Sequence, residues 1–171
     1  MSRWLTAIRI LVFAGPGLFA QSGGTYLPLF TIERSTNANV IHYEARIRGD
    51  GRLDPRGPVI AYWVMVAEDG RRQALNILEK TRAYGFTTRA DGPSDSYKIY
   101  LVSDPRREIH IYQNGSAVHA ETLIGGHHAY LQRIFISTQK SMLFRTPTSA
   151  ELFGLEIGTG EPCYEKVQPN H

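Results

Sequence analysis

Cysteine is nearly missing from this chain of 171 residues: Cys163 is the only one, so no disulfide can form within the chain. An excess of one charge is missing too. The 19 basic and 16 acidic residues are scattered rather than gathered in runs, whereas nucleic-acid binding calls for a basic face that neutralises several phosphates at once. That function class is disfavoured. A membrane-spanning helix needs roughly 20 apolar residues, and the N-terminal apolar run is broken well short of that by Gly15-Pro16-Gly17. No His-Glu-x-x-His, Gly-x-Ser-x-Gly, P-loop or Gly-x-Gly-x-x-Gly is present, so the usual signatures of zinc hydrolases, serine hydrolases and nucleotide-binding proteins are all lacking. With 42 % hydrophobic and 20 % charged residues, disorder, collagen and coiled coil are excluded as well.

What is present begins with a targeting pattern. Met1 to Ala20 carries Arg3 and Arg9, then the apolar run Ile10 to Phe13, then Ala14 to Ala20, and no acid. This reads as a signal peptide, residues 1–20, cleaved after Leu18-Phe19-Ala20. The expected product is exported to the periplasm or the extracellular space without a transmembrane or lipid anchor, since no cysteine lies near the cut. Without Arg3 and Arg9 the count of 19 basic against 16 acidic residues becomes 17 against 16, so the net charge falls from +3 to +1. The pI of about 9.1 therefore overstates the basicity of the mature chain. The intact mass of protein recovered from its host tests this reading, and a retained Met1 contradicts it. The expected organisation is a flexible leader over 21–26, a single β-rich domain over 27–158, and a loosely held tail over 159–171 containing Gly160, Pro162 and Pro169.

Period-two alternation of apolar and polar residues marks half-buried strands. It recurs in Leu29 to Arg34, Val40 to Ile47, Val59 to Ala67, Tyr97 to Val102, Ile109 to Gln113, Ala117 to Ile124 and Tyr130 to Ser137, with a short last strand around Leu155 and Ile157. Turn chemistry separates them: Asp50-Gly51, Glu68-Asp69-Gly70, a type I turn at Asp104-Pro105-Arg106-Arg107, and Asn114-Gly115. One helix is expected over Arg72 to Tyr84, with Leu75 and Leu78 as its apolar stripe, capping one end of the sheet. Short consecutive connections then predict an antiparallel up-and-down β-barrel, or a sandwich, of about seven to eight strands.

Several stretches, taken in order, are familiar. Leu29-Phe30-Thr31-Ile32-Glu33-Arg34 with Asn37 and Asn39, Tyr43-Glu44, Gly51-Arg52-Leu53-Asp54, Pro58, Tyr62-Trp63, Glu68-Asp69-Gly70, Ala83-Tyr84-Gly85 and Leu131-Gln132-Arg133-Ile134-Phe135 resemble DUF4833. This is a bacterial family of secreted or envelope proteins that carries no assigned activity. The resemblance covers roughly residues 27–138 and implies one exported domain; it brings no cofactor, catalytic residue or substrate with it.

The residues that bear chemistry are few. Gly125-Gly126-His127-His128 sets two histidines on a glycine-rich turn, but neighbours in a strand point to opposite faces, and a metal needs further ligands. A two-residue loop at Asn114-Gly115 predicts Gln113 opposite Ser116 and His110 opposite His119, with Cβ atoms about 5 Å apart. That is close enough to touch one ion, but the solvated face of a strand pair is the expected reading, with no metal bound. Glu33, Glu44, Arg34, Arg46 and Arg133 either line a polar barrel interior or, from the alternation alone, sit on its wet side. Cys163, between Pro162 and Tyr164, is expected as a free thiol. No cofactor and no catalytic residue are expected. Three classes of function stay open: a binder that holds a small molecule or lipid in the barrel mouth, with Tyr43, Tyr62, Trp63 and Arg133 as its lining; an envelope structural or protein-interaction domain; and a hydrolase without a recognisable motif.

Overall fold

The computed structural model describes residues 24–92, 95–140 and 145–168. In chain order the elements are β1 (Thr25–Arg34), β2 (Asn37–Ile47), β3 (Val59–Val64), β4 (Arg72–Ala74), α1 (Ile77–Arg82), β5 (Phe86–Ala90), β6 (Ser96–Leu101), β7 (Asp104–Asn114), β8 (Ala117–Ile124), β9 (His127–Lys140), β10 (Arg145–Glu156) and β11 (Pro162–Val167). The protein is mainly β, and the alternation is the cause. Ile41, Tyr43, Ala45 and Ile47 of β2 are buried while His42 and Arg46 are not, and Tyr97, Ile99 and Leu101 of β6 are buried in the same rhythm. Each such side chain withdrawn from water favours folding by roughly 1.5–3 kcal/mol. The expected signal peptide, residues 1–20, lies outside the described residues. The leader expected over 21–26 ends in β1, where Thr25 and Tyr26 already pair with Ile47 and Arg46.

The strands lie in the order β4-β3-β2-β1-β9-β8-β7-β6-β5, with β10 on the other side of β9 and β11 beyond it. All neighbours are antiparallel except β1 and β9, which run parallel from Thr31↔Arg133 to Arg34↔Ile136. β9 is therefore shared. His127 to Tyr130 pair with β8, and Arg133 to Ile136 pair with β1. At the changeover the register with β10 jumps from Gly154↔Leu131 to Phe153↔Arg133, which leaves Gln132 as an extra residue. A bulge of this kind bends its strand and raises the local twist. Two arms thus hang from one side of β9, one made of β1 to β4 and the other of β8 to β5. They curl toward each other over a common core that joins Ile32, Ile41, Tyr43 and Trp63 to Ile99, Ile109, Ile111 and Ile124. Arg52 and Asp95, 2.5 Å apart, and Gln113 Nε2, donating to the Gly51 carbonyl at 2.7 Å, tie the arms at one end.

The closed barrel or sandwich of seven to eight strands is thereby corrected. The sheet is a curled half-barrel of eleven strands in which β4 and β5, the two ends of the path, do not pair with each other. Closure needs the two end strands to pair with each other in a matching stagger, and here β4 has three residues while β5 is exposed along most of its length.

Four local expectations change with it. The helix is Ile77–Arg82 rather than 72–84, because Arg72 to Ala74 pair with β3 and Asn76 starts the helix with a reciprocal cap: its side chain accepts from the Glu79 N–H, and the Glu79 carboxylate accepts from the Asn76 N–H, both at 2.9 Å. The helix has no buried residue, so it does not cap the sheet; Leu75 and Tyr84 on either side of it supply the buried contacts. The type I turn at Asp104 is instead a tight turn at Val102-Ser103, with Leu101 opposite Asp104 and Pro105 inside β7. The β7–β8 loop is Gly115-Ser116, with φ of +62° at Gly115, a glycine-first turn that sets Asn114 opposite Ala117. Finally, most of the tail expected to be loose is β11, paired with β10 from Pro162 to Val167, and Cys163 packs against the core from that strand.

Candidate ligand-binding cleft

The inner faces of β7 and β8 and those of β9, β10 and β11 do not meet along their whole length. Between them runs an open cleft of about 1690 Å³, with Ile32, Ile109, Ile134, Ile136, Leu152 and Val167 among its apolar lining. Their presence follows from parity. Ile134 opposes Leu152 and Ile136 opposes Ala150, so the C-terminal half of β9 and the N-terminal half of β10 turn their apolar rows the same way.

Arg107 fixes one end of the cleft. It lies on the same side of β7 as Ile109 and grips Glu165 of β11 with Nη2 at 2.8 Å and Nη1 at 3.2 Å, while its Nε donates to Asp104 at 3.2 Å. Burial raises the Glu165 pKa, but the Arg107 hydrogen bonds, the Gly125 N–H at 3.1 Å and the Arg107 charge together outweigh this and hold it below the usual glutamate value. Burial likewise works against the Arg107 charge, and Glu165 and Asp104 more than restore it. Such a two-pronged arginine–carboxylate pair fixes geometry as well as charge. The rim also carries Glu108, held below the usual range by the Tyr100 hydroxyl and by Lys98, and Glu121, which accepts from His128 at 2.8 Å.

None of the four residues expected to line a ligand site borders this cleft. Tyr43 is in the core, stacked on Phe30 with ring centroids 4.4 Å apart, its hydroxyl donating to the Tyr84 carbonyl at 2.6 Å; burial pushes its phenol well above the ordinary tyrosine value. Trp63 is also in the core, with the Arg34 guanidinium 4.3 Å above its ring and the Tyr84 ring edge-on at 5.4 Å. Tyr62 faces the convex side, where it donates to Glu44 at 2.6 Å under the Arg72 guanidinium. Arg133 is on the convex side as well, paired with Glu33 at 3.2 Å and stacked on Phe153. Of the strand acids and bases, Glu33, Glu44, Arg46 and Arg133 all lie outside the curl, and only Arg34 turns in over Trp63. Glu44 is nevertheless 7 % exposed, because Tyr62 and Arg72 cover it.

The four histidines do not converge either. The corrected loop places His110 opposite Glu121 and His119 opposite Tyr112. His110 lies between Asp91 at 3.1 Å and Glu108 at 3.4 Å, and His119 stacks on Tyr130 with centroids 4.5 Å apart. His127 and His128 open β9, point to opposite faces, and pair with Glu156 and Glu121 respectively. Among the described residues no group of three or more histidine, cysteine or acidic side chains is placed to hold a metal ion. The residues that do shape the cleft, Arg107 and Glu165, carry no motif. Their only trace in the sequence is parity with Ile109 and Cys163, and parity became readable on β11 only once it was known to be a strand.

No curated protein and no solved structure matches this chain. The family described as Domain of unknown function (DUF4833) matches residues 30–166, so that the likeness runs past the resemblance over 27–138, through β10 and into β11. With that match covering most of its length, the chain belongs to the DUF4833 family.

Proposed function

We propose that this is an exported, non-catalytic domain that holds a small apolar or amphiphilic ligand in the cleft between β7–β8 and β9–β11. One observation carries the reading: a cleft of about 1690 Å³ whose floor is aliphatic and whose polar groups stand at the rim. Ligand sites are typically concave and mostly apolar, with a few placed polar groups, and run to roughly 300–1,000 Å³; an open groove of this size suits an elongated molecule. The carboxylates at the rim are already bound to Arg107, Lys98 or His128, which leaves none of them poised as a free acid–base pair.

The test is saturable binding of a neutral lipophilic dye such as Nile red, read by fluorescence. The purified protein is expected to bind it, and A150W, which fills the cleft from a half-buried position on β10, is expected to lose binding while keeping its circular dichroism and melting temperature. Absence of saturable binding, or full binding by the variant, would overturn the proposal. A second reading, protein interaction, draws on Ile77 and Leu78, which are 80 % and 65 % exposed at the start of α1. Under that reading I77S/L78S abolishes partner capture from the native envelope and leaves dye binding intact.

A further inference from the structure

Among the described residues nine lysines and arginines hold a carboxylate within 4.0 Å, whereas Arg34, Arg56, Lys80, Arg82, Arg89 and Arg106 hold none. Arg46, Arg52 and Arg133, like Arg107, each hold a carboxylate within 4.0 Å. Two arginines on the cleft are different: Arg82, in the last turn of α1, and Arg106, near the start of β7, both line the cleft, both are exposed, and neither has an acidic partner among the described residues. The fold brings them to one end of it. The Val102 N–H donates to the Gly85 carbonyl at 2.9 Å, which pins the β6–β7 turn, and so Arg106, beside the end of α1, and so Arg82.

A third unneutralised guanidinium stands behind them. Arg34 opposes Ile136, a residue of the cleft lining, and its Nη1 donates to the Tyr84 hydroxyl at 3.1 Å, two residues beyond Arg82. Its charge rests on the faces of Trp63 and Tyr84 rather than on a carboxylate, and its buried Nε has no acceptor. The acids that border the cleft, Asp104, Glu108, Glu121 and Glu165, are each engaged by Arg107, Lys98 or His128, whereas no acid engages Arg82 or Arg106. One end of an otherwise apolar groove therefore carries two exposed guanidiniums free to donate.

From this juxtaposition we infer that the ligand of the cleft is an anionic amphiphile, a chain with a terminal carboxylate, whose head group is received by Arg82 and Arg106 while its tail lies on Ile136, Ala150 and Val167, half-buried apolar residues of the lining. The inference rests on the ligand-binding reading above and adds the charge of the ligand and the end at which it sits. Arginine suits the role because its planar fork donates two parallel hydrogen bonds to a carboxylate, each stronger than a neutral bond.

Calorimetric titration of the full chain with decanoate and with decanol, which share one tail and differ in charge, tests it at low salt. Decanoate is expected to bind about tenfold more tightly, a difference of about 1.4 kcal/mol, and the preference is expected to vanish in R82A/R106A, which then binds both as the parent binds decanol. Both positions are exposed, so the variant is expected to melt with the parent. Equal binding of the two by the parent would overturn the inference and leave the cleft reading standing. A preference that survives in R82A/R106A would overturn the assignment of these arginines. If neither molecule binds, the cleft reading fails and the inference falls with it.

Discussion

Tyr62 and Glu44 show how much a single residue is asked to do on a bare sheet face. Glu44 sits on the convex side of β2, where alternation alone predicts a wet carboxylate, yet it is nearly buried because Tyr62 and Arg72 close over it. A buried carboxylate must keep its hydrogen bonds or lose much of its stability. Burial, followed by the bond to Glu44 and its charge, pushes the Tyr62 phenol well above the ordinary range, so it donates at any physiological pH. Tyr62→Phe keeps the ring under Arg72 and removes the donor; the expected cost is about 1.5–3 kcal/mol, the range for bonds to charged groups. Urea unfolding measures it. A change below about 0.5 kcal/mol, the size usual for a surface substitution, would mean that water or Arg72 already satisfies Glu44.

At the scale of an element, α1 is a helix held by its cap. Its six residues are too few to persist alone, and it buries none of them, so the reciprocal bonds between Asn76 and Glu79 and the anchors Leu75 and Tyr84 hold it in place. Asn76→Ala removes one half of the cap, worth about 0.5–2 kcal/mol. Because no core residue depends on α1, that loss is expected to surface as faster amide exchange over residues 77–83, with little change in the global melting temperature. A drop of the whole melting curve by several degrees would show that α1 is coupled to the core after all. Gly154 represents the opposite case, an element fixed by contact. A Cβ there would stand 2.6 Å from the Tyr130 carbonyl and 2.7 Å from Ile124, so β10 can cross β9 this closely only with glycine at that position.

At the scale of the whole molecule, the pair Arg107–Glu165 joins β7 to β11 across the cleft. The Glu165 carboxylate has a lower pKa folded than unfolded, so it favours the folded state at pH values above the unfolded one, 4.5. That contribution disappears as pH falls through the depressed folded value. Glu165→Gln is therefore expected to unfold at lower urea than the parent at about pH 7, with the gap closing as pH falls below the unfolded value of 4.5. A gap that stays the same across that range would show the pair contributes packing rather than charge.

The strands of β2, β6 and β8 were legible in the sequence because each has one wet face and one buried face, and a side-chain period of two records that directly. The family was legible too, since its motifs recur in order both in β1 to β3 and β9 and in the turns between strands, such as Gly51-Arg52-Leu53-Asp54 and Glu68-Asp69-Gly70. The Gly115 loop was misread by one residue, because Asn-Gly and Gly-Ser are both good two-residue turns and only pairing across the whole hairpin chooses between them. β4 and β5 escaped notice because they are short or solvated and lose the alternation, and β11 because its half-buried row, Cys163, Glu165 and Val167, includes a carboxylate. What tertiary structure alone decided is the division of β9 between β8 and β1, and with it the two arms, the cleft, and the company of Arg82, Arg106 and Arg107. No local pattern encodes which two strands a long strand will serve; that choice depends on contacts between residues about a hundred positions apart, such as Thr31 and Arg133.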